Sequence, residues 1–323
     1  MSFALIGCGR ISQVHLQTIA SEPRARLVAV ADTDRLAAAS AAEAFGVRAF
    51  HDPLRMLETL RPEAVILCTP PNTHRDLGEA ALLAGANVLC EKPLALSAED
   101  AEVMIATAEQ AGRTLMMASK FRYVQDVVRA KGFIESGVLG EIMMFKNEFC
   151  SHINMKDRWN ASTEVAGGGV LIDNGSHSID IIRYLIGPID SIHVMFGKSW
   201  QKLEVEDTCQ LLVRCVCGVI ASVDLSWSVY TDTYFIHVIG TEGILEVGWK
   251  GSRYRQGPKF DWVPFGDGYD KFKAVAAQLS NFIDTITGKG EPLITVEDAL
   301  ESVRVIQTGY RTANQGRWEK VAP

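Results

Sequence analysis

The chain has 323 residues, 47% of them hydrophobic and 22% charged, with 27 Gly and 11 Pro. That is about twice the length of a usual single-core domain at the composition of a packed protein, which excludes a disordered or fibrous chain and points to two domains. A formal net charge of -7, from 32 Lys+Arg against 39 Asp+Glu, has the wrong sign for a non-specific polyphosphate binder, so no nucleic-acid partner is expected.

No stretch reaches the roughly 18 to 20 continuous apolar residues of a membrane span, so no membrane partner is expected either. The apolar opening Phe3-Ala4-Leu5-Ile6 runs straight into Gly7-Cys8-Gly9-Arg10 and reads as a strand, not a signal peptide. Cys8, Cys68, Cys90, Cys150, Cys209, Cys215 and Cys217 contain no Cys-x-x-Cys pair and sit mostly in apolar runs. The expectation is reduced, buried thiols in a cytoplasmic protein.

Only Phe3, Phe45 and Phe50 are aromatic in the first 120 residues. This Ala-rich segment alternates short β-branched or apolar runs with amphipathic ones, the pattern of strand-helix units in a doubly wound parallel sheet. Strands are expected at residues 3–6, 27–31, 64–69, 87–90 and 114–118, with a weaker one at 48–50 and helices between. Gly46 stops the helix that begins near Asp34, and Ser97 caps a helix whose first turn carries Glu99 and Asp100. The pattern then changes, which gives a domain over 1–119 and a second over 120–323. A helix at 124–136 stopped by Gly137 comes first, then alternating runs at 211–216 and 219–227 that suggest antiparallel strands around a turn near Cys217-Gly218. A helix over 170–185, strands at 192–196, 234–239 and 244–247, and helices at 269–287 and 296–314 complete the reading.

Gly7-Cys8-Gly9-Arg10-Ile11-Ser12 lies between the first strand and the first helix, where a glycine turn lets backbone N-H groups and a helix N-terminus meet a pyrophosphate. Ser12 replaces the third glycine but is small enough for close helix-strand packing. Asp32, at the end of the second strand, is placed to accept from adenosine ribose hydroxyls and to repel a 2'-phosphate, favouring NAD over NADP, with Arg35 close enough to offset part of that repulsion. Ligands of open parallel sheets lie beyond the carboxyl ends of the strands, where Thr69-Pro70-Pro71-Asn72-Thr73-His74 and Glu91-Lys92-Pro93 stand. Plain strand termination and helix capping account for the first segment as well as a ligand role does. Lys92, between an apolar strand and a proline, is set to polarise a substrate oxygen. In the second domain Asp173, His177 and Asp180 share one helix face at spacings of four and three, with a salt-linked surface face the alternative and Asp180 the one of the three read as structural. One His with two acids is a poor metal set, and no metal is expected. Arg158, Trp159 and Asn160 are candidates for sugar contacts by stacking and hydrogen bonding, with plain packing the alternative for Trp159.

Together, Gly7-x-Gly9-x-x-Ser12, Asp32, the Thr69 to His74 run, Glu91-Lys92-Pro93 and Asp173-x-x-x-His177 resemble the glucose-fructose oxidoreductase, inositol dehydrogenase and MocA-like family of NAD(P)-dependent oxidoreductases. The resemblance implies an N-terminal Rossmann domain and a C-terminal α/β domain with a large, mostly antiparallel sheet, through whose open face members dimerise or tetramerise. It implies hydride transfer between nicotinamide and a secondary alcohol or ketone of a sugar, polyol or derivative. Lys92, Asp173 and His177 match its catalytic residues, with His177 moving the proton, Asp173 orienting it and Lys92 stabilising charge on oxygen. Gly7, Gly9, Arg10, Ile11, Asp32, Thr69, Pro70, Pro71, Asn72, His74, Glu91 and Lys92 fall to cofactor binding. Arg122, with Trp159, Asn160 and the catalytic residues, falls to the substrate. A retained-NAD enzyme without net redox and a non-catalytic cofactor-binding regulator are the alternatives.

Overall fold

The computed structural model describes residues 1–231 and 234–322. The chain forms two compact units, Met1–Lys120 with Lys271–Leu300 and Phe121–Asp270 with Glu301–Pro323. Residues 271–300 thus return to the first unit, which a single cut between 119 and 120 does not anticipate.

The first unit alternates β1 (Ser2–Ile6), α1 (Ser12–Ser21), β2 (Arg26–Ala31), α2 (Arg35–Phe45), β3 (Arg48–Phe50), α3 (Pro53–Leu60), β4 (Ala64–Leu67), α4 (His74–Leu83), β5 (Asn87–Glu91), α5 (Ala98–Ala111) and β6 (Leu115–Ala118). Its sheet runs β3-β2-β1-β4-β5-β6, every pair parallel. Local chemistry fixes the punctuation. Asp34, Asp52 and Ser97 accept from first-turn amides of α2, α3 and α5, while Gly46 and Gly112 end α2 and α5 in the left-handed region. Phe3, Leu5, Val30, Ile66 and Leu89 of the sheet pack with Leu16 and Ile19 of α1 and with Leu279, Phe282 and Ile283 of the returning helix Lys271–Ile286. Strand order reverses direction between β1 and β4, the place where doubly wound sheets open a ligand crevice.

The second unit contains α6 (Gln125–Glu135), β7 (Ile142–Cys150), α7 (Thr163–Ala166), α8 (Val170–Leu185), β8 (Ile189–Phe196), β9 (Thr208–Cys215), β10 (Ile220–Ser226), β11 (Tyr234–Gly240), β12 (Gly243–Gly248), β13 (Ser252–Gln256), β14 (Val263–Gly266) and β15 (Glu319–Lys320). Its nine-stranded sheet runs β14-β13-β12-β11-β7-β10-β9-β8-β15. Pairing is antiparallel except for β10 with β7. The central strand β7 has no counterpart among the expected strands, because its inward face carries Asn147 between Phe145 and Phe149 and breaks the apolar alternation. Asn147 is 1% exposed, and its side-chain amide donates to the Phe235 carbonyl at 2.7 Å.

Helix α8 packs on β7, β9 and β10. The sheet buries Leu211 and Val213 of β9, Val223 and Leu225 of β10 and Phe145 and Phe149 of β7. The other face is mixed, with Met144 opposite Ile220 and Gln210 bonded to Asp224. No described helix is long and apolar enough to cross a membrane.

Candidate functional site

In the first unit the dinucleotide turn is shaped by backbone proximity. Gly7 has φ +93°, and a Cβ there would lie 2.6 Å from the Cys68 carbonyl carbon and 2.7 Å from Thr69 N, so only glycine lets the end of β1 run this close to the chain leaving β4. A Cβ on Gly9 would meet nothing within 4 Å. The second glycine therefore borders open space. Ser12 is fully buried and its hydroxyl donates to the Gly9 carbonyl at 2.5 Å, so the residue in place of the third glycine braces the turn.

Ile11, at the start of α1, offers no capping side chain, which suits a helix end that receives a phosphate. Arg10 is exposed and Ile11 half-buried. Beyond β2, Asp32 accepts from Cys8 N at 2.6 Å through Oδ2 and from Asp34 N at 2.8 Å through Oδ1. A carboxylate has about four lone-pair sites, so both oxygens keep capacity for ribose hydroxyls. Burial, followed by the Asp32 charge, pushes the Cys8 thiol up to about 12. The thiol is neutral packing. The turn, the open space before Gly9 and the fixed carboxylate fit a dinucleotide.

After β4, Thr69 and Pro70 are half-buried, Pro71 is buried and Asn72 is exposed. Thr73 Oγ1 lies 2.8 Å from both the Pro70 carbonyl, to which it donates, and Thr69 Oγ1. His74 stands in this run but turns inward. It is 0% exposed, with Nδ1 and Nε2 each 2.9 Å from the carbonyls of Pro93 and Thr69. Burial pushes its pKa below the ordinary imidazole value, and the ring joins the loops after β4 and β5. Both ring nitrogens of His74, expected among the cofactor contacts, thus face protein carbonyls.

Glu91 closes β5, and the Lys92-Pro93 bond is cis. Glu91 Oε1 lies 2.8 Å from His15 Nε2, and Oε2 accepts from Lys92 N at 3.3 Å. Each carboxylate oxygen thus has a protein partner, and Lys92 is half-buried beside it.

In the second unit, α8 carries Asp173 and His177 one turn apart. His177 is 6% exposed, its ring edge-on to Phe121 at 4.9 Å and to Phe149 at 6.4 Å. Phe121 also stacks on Tyr269 at 5.2 Å and meets Trp249 at 6.3 Å, so an aromatic wall backs the imidazole. The glycine run before α8 answers a crowding problem. A Cβ on Gly168 would strike the Tyr310 hydroxyl, and one on Gly169 the Glu206 carbonyl.

Glu206 Oε1 accepts from Gly169 N (3.0 Å), Leu171 N (3.1 Å) and Tyr310 Oη (2.8 Å), while its backbone carbonyl accepts from Val170 N at 2.9 Å. A residue remote in sequence thereby caps the helix that bears Asp173 and His177. Burial pushes the Glu206 carboxyl above its ordinary range.

Arg122 and Asp180 are joined to each other, which fits the structural role the sequence reading favours for Asp180. Arg122 is 3% exposed, and its Nε and Nη2 lie 2.8 and 2.7 Å from Asp180 Oδ1, with the guanidinium 5.3 Å over the Tyr184 ring. This buried pair locks the turn before α6 to α8. Arg122, expected among the substrate contacts, is thus held by the Asp180 carboxylate. Trp159 is 46% exposed and Asn160 half-buried, both in a short 3-10 turn, Trp159–Ala161. Among the described residues no group of three or more His, Cys, Asp or Glu is arranged to hold a metal ion.

His15, Glu206 and Tyr310 were missed in the sequence. Each acts through a partner dozens of residues away, and a local pattern carries no sign of it.

Residues 1–119 match the model of an oxidoreductase family with an NAD-binding Rossmann fold, and residues 127–246 match the C-terminal domain model of the same family. The chain is 28% identical to a D-apiose dehydrogenase of Paraburkholderia graminis, over 97% of this chain and 88% of that one. It is 26% identical to an inositol 2-dehydrogenase of Rhizobium meliloti, over 99% of each. Among solved structures, the WlbA dehydrogenase from Bordetella pertussis in complex with NADH and UDP-GlcNAcA superposes with a TM-score of 0.86 at 26% identity, covering 100% of this chain and 99% of that one. The glycine turn, the strand order and both matched domains place the chain in the NAD-binding oxidoreductase family named for glucose-fructose oxidoreductase, inositol dehydrogenase and MocA.

Proposed function

We propose that the protein is a dehydrogenase that moves a hydride between NAD and a secondary alcohol or ketone of a sugar, polyol or sugar derivative. The observation that carries this reading is the turn at Gly7, Gly9 and Asp32, closed by protein on one side and open on the other. The names of the relatives, dehydrogenases of apiose and inositol, support the substrate class. The Asp32 carboxylate supports NAD over NADP, since a 2'-phosphate would meet a second anion there.

Gly7, Gly9, Arg10, Ile11, Asp32, Thr69, Pro70, Pro71 and Asn72 make up the cofactor side in this reading, with His74 and Glu91 supporting it from behind. When bound, NAD supplies the hydride acceptor, or its reduced form the donor. Lys92 holds the substrate oxygen and stabilises the negative charge that develops on it. His177 takes the hydroxyl proton, or returns it in the reverse direction, and Asp173 orients the imidazole. Trp159 and Asn160 are assigned to the sugar. Exchanging His177 for Ala or Lys92 for Met should each lower turnover roughly a hundredfold or more, the usual effect of removing a proton-transfer or charge-stabilising group. NADH affinity should survive in His177→Ala. Unchanged turnover in either variant would remove that residue from the chemistry.

The proposal extends to a homodimer or homotetramer in the cytoplasm. Exposed Met144, Met195 and Ile220 on the open sheet face support a second copy as its cover, and seven free cysteines suit a reducing compartment. A light-scattering mass equal to the monomer would contradict the assembly.

A further inference from the structure

His15 belongs to none of the motifs above, yet it is wholly buried on α1 between the core residues Val14 and Leu16. Its Nε2 lies 2.8 Å from Glu91 Oε1. Among the described residues, Nδ1 is buried with no hydrogen-bond partner. A proton on Nδ1 would be left without an acceptor, so the ring carries its proton on Nε2 and donates it to the carboxylate. A leucine would fill this space without burying a polar ring. What the imidazole adds is a donor aimed at Glu91.

Glu91 is surrounded by titratable groups from several elements. His15 faces it from α1, His74 from α4, Cys68 from the end of β4 and Cys90 from β5, while Lys92 and Lys120 bring positive charge. Burial pushes both thiols well above the ordinary range, so they stay neutral. Burial also pushes the Glu91 carboxyl up, but the His15 hydrogen bond, with the positive charges of Lys120 and Lys92, outweighs it and holds the group below the usual carboxylate range. Its second oxygen takes the Lys92 backbone N-H.

We propose that His15 is a positioning residue that keeps Glu91 an anionic anchor beside Lys92, joining the helix that opens the dinucleotide turn to the lysine of the reaction. The inference rests on the reading of Lys92 given above. Without the Nε2-H donor, burial governs Glu91, its carboxyl binds a proton at higher pH, and the ammonium loses its fixed counter-charge. In the wild type the anion persists below the pH at which an ordinary carboxylate binds its proton. In His15→Leu it is lost as pH falls through a raised carboxyl pKa, so the acid limb of turnover moves to higher pH. His15→Gln keeps an amide N-H donor of similar reach and should restore the wild-type limb.

The test compares wild type, H15L, H15Q, E91Q and K92M by kcat against pH with NAD and myo-inositol, and by urea unfolding of the unliganded protein over the same pH range. H15L should lose about tenfold at the acid end, the scale of a charge-assisted hydrogen bond, and recover toward alkaline pH, while H15Q follows the wild type. In an E91Q background, H15L should have no further pH-dependent effect. In unfolding, a folded-state pKa held low gives stability that is present above the ordinary carboxylate pKa and lost as pH falls through the folded value. The stability gap between wild type and H15L should therefore widen from acid to neutral pH. Equal impairment of H15L and H15Q with a wild-type-shaped limb and a pH-independent gap would reduce His15 to packing and overturn the inference. Full turnover in K92M would instead strike the reading of Lys92. The unfolding arm still judges the His15–Glu91 link in that case, or if myo-inositol is not turned over.

Discussion

Gly7 and Gly9 separate what the protein needs for folding from what it needs for its cofactor. In Gly7→Ala, a left-handed backbone for an L residue costs about 1 to 2 kcal/mol. The new Cβ would also press at 2.6 to 2.7 Å on backbone atoms of Cys68 and Thr69, which cannot rotate away. Overpacking of that kind adds about 1 to 3 kcal/mol, so the variant should be destabilised by about 2 to 5 kcal/mol. In Gly9→Ala the Cβ meets no protein atom within 4 Å, and the backbone is not left-handed. Its stability should stay level or rise by about 0.4 to 1 kcal/mol through the unfolded state. The methyl would nevertheless occupy the approach of a pyrophosphate, and NADH affinity should fall at least about tenfold, or about 1.4 kcal/mol. Urea unfolding of the unliganded proteins and NADH titration by fluorescence measure the two effects separately. A Gly9→Ala protein that binds NADH like the wild type, or unfolds as readily as Gly7→Ala, would refute the assignment of the two glycines.

Arg122→Met leaves Asp180 charged and buried without its partner and should cost about 3 to 5 kcal/mol, whereas the double variant Arg122→Met/Asp180→Leu should recover most of that loss. Additive losses in unfolding experiments, or a raised KM at wild-type stability, would return Arg122 to a substrate role. Glu206→Gln keeps an oxygen for the three bonds now made to Oε1 and removes a carboxyl whose pKa burial raises. A raised folded pKa makes ionisation oppose folding once pH passes it. Glu206→Gln should therefore match or exceed wild-type stability at neutral pH, with the advantage shrinking toward acid, while Glu206→Ala loses about 1 to 3 kcal/mol. Parallel pH profiles of the urea midpoint for wild type and Glu206→Gln would contradict this.

The first unit was largely legible because each of its elements carries its own instructions. The cap at Ser97, the stop at Gly46 and the short apolar runs act over a few residues, and strands buried on both faces need no alternation. Helix α8 was legible to the residue for the same reason. The second sheet was harder. Strand β7 conceals its inward face behind Asn147, and β13 and β14 are short edge strands with charged or proline residues. Among the candidate residues, the glycine turn, Asp32, Lys92 and the Asp173/His177 pair stood out because their spacing is local. What the sequence concealed was the direction in which side chains turn. His74 faces inward to two carbonyls, Arg122 is taken by Asp180, and Glu206 reaches across to cap α8, all through contacts that folding alone brings together.

The most direct test of the functional account is the absorbance of reduced nicotinamide while the purified protein, with NAD and separately with NADP, meets inositols, aldoses and sugar acids. The account predicts substrate-dependent growth with NAD, weaker or absent growth with NADP, and its loss in His177→Ala. Bound NAD with no growth across the panel, or growth with NADP alone, would contradict it.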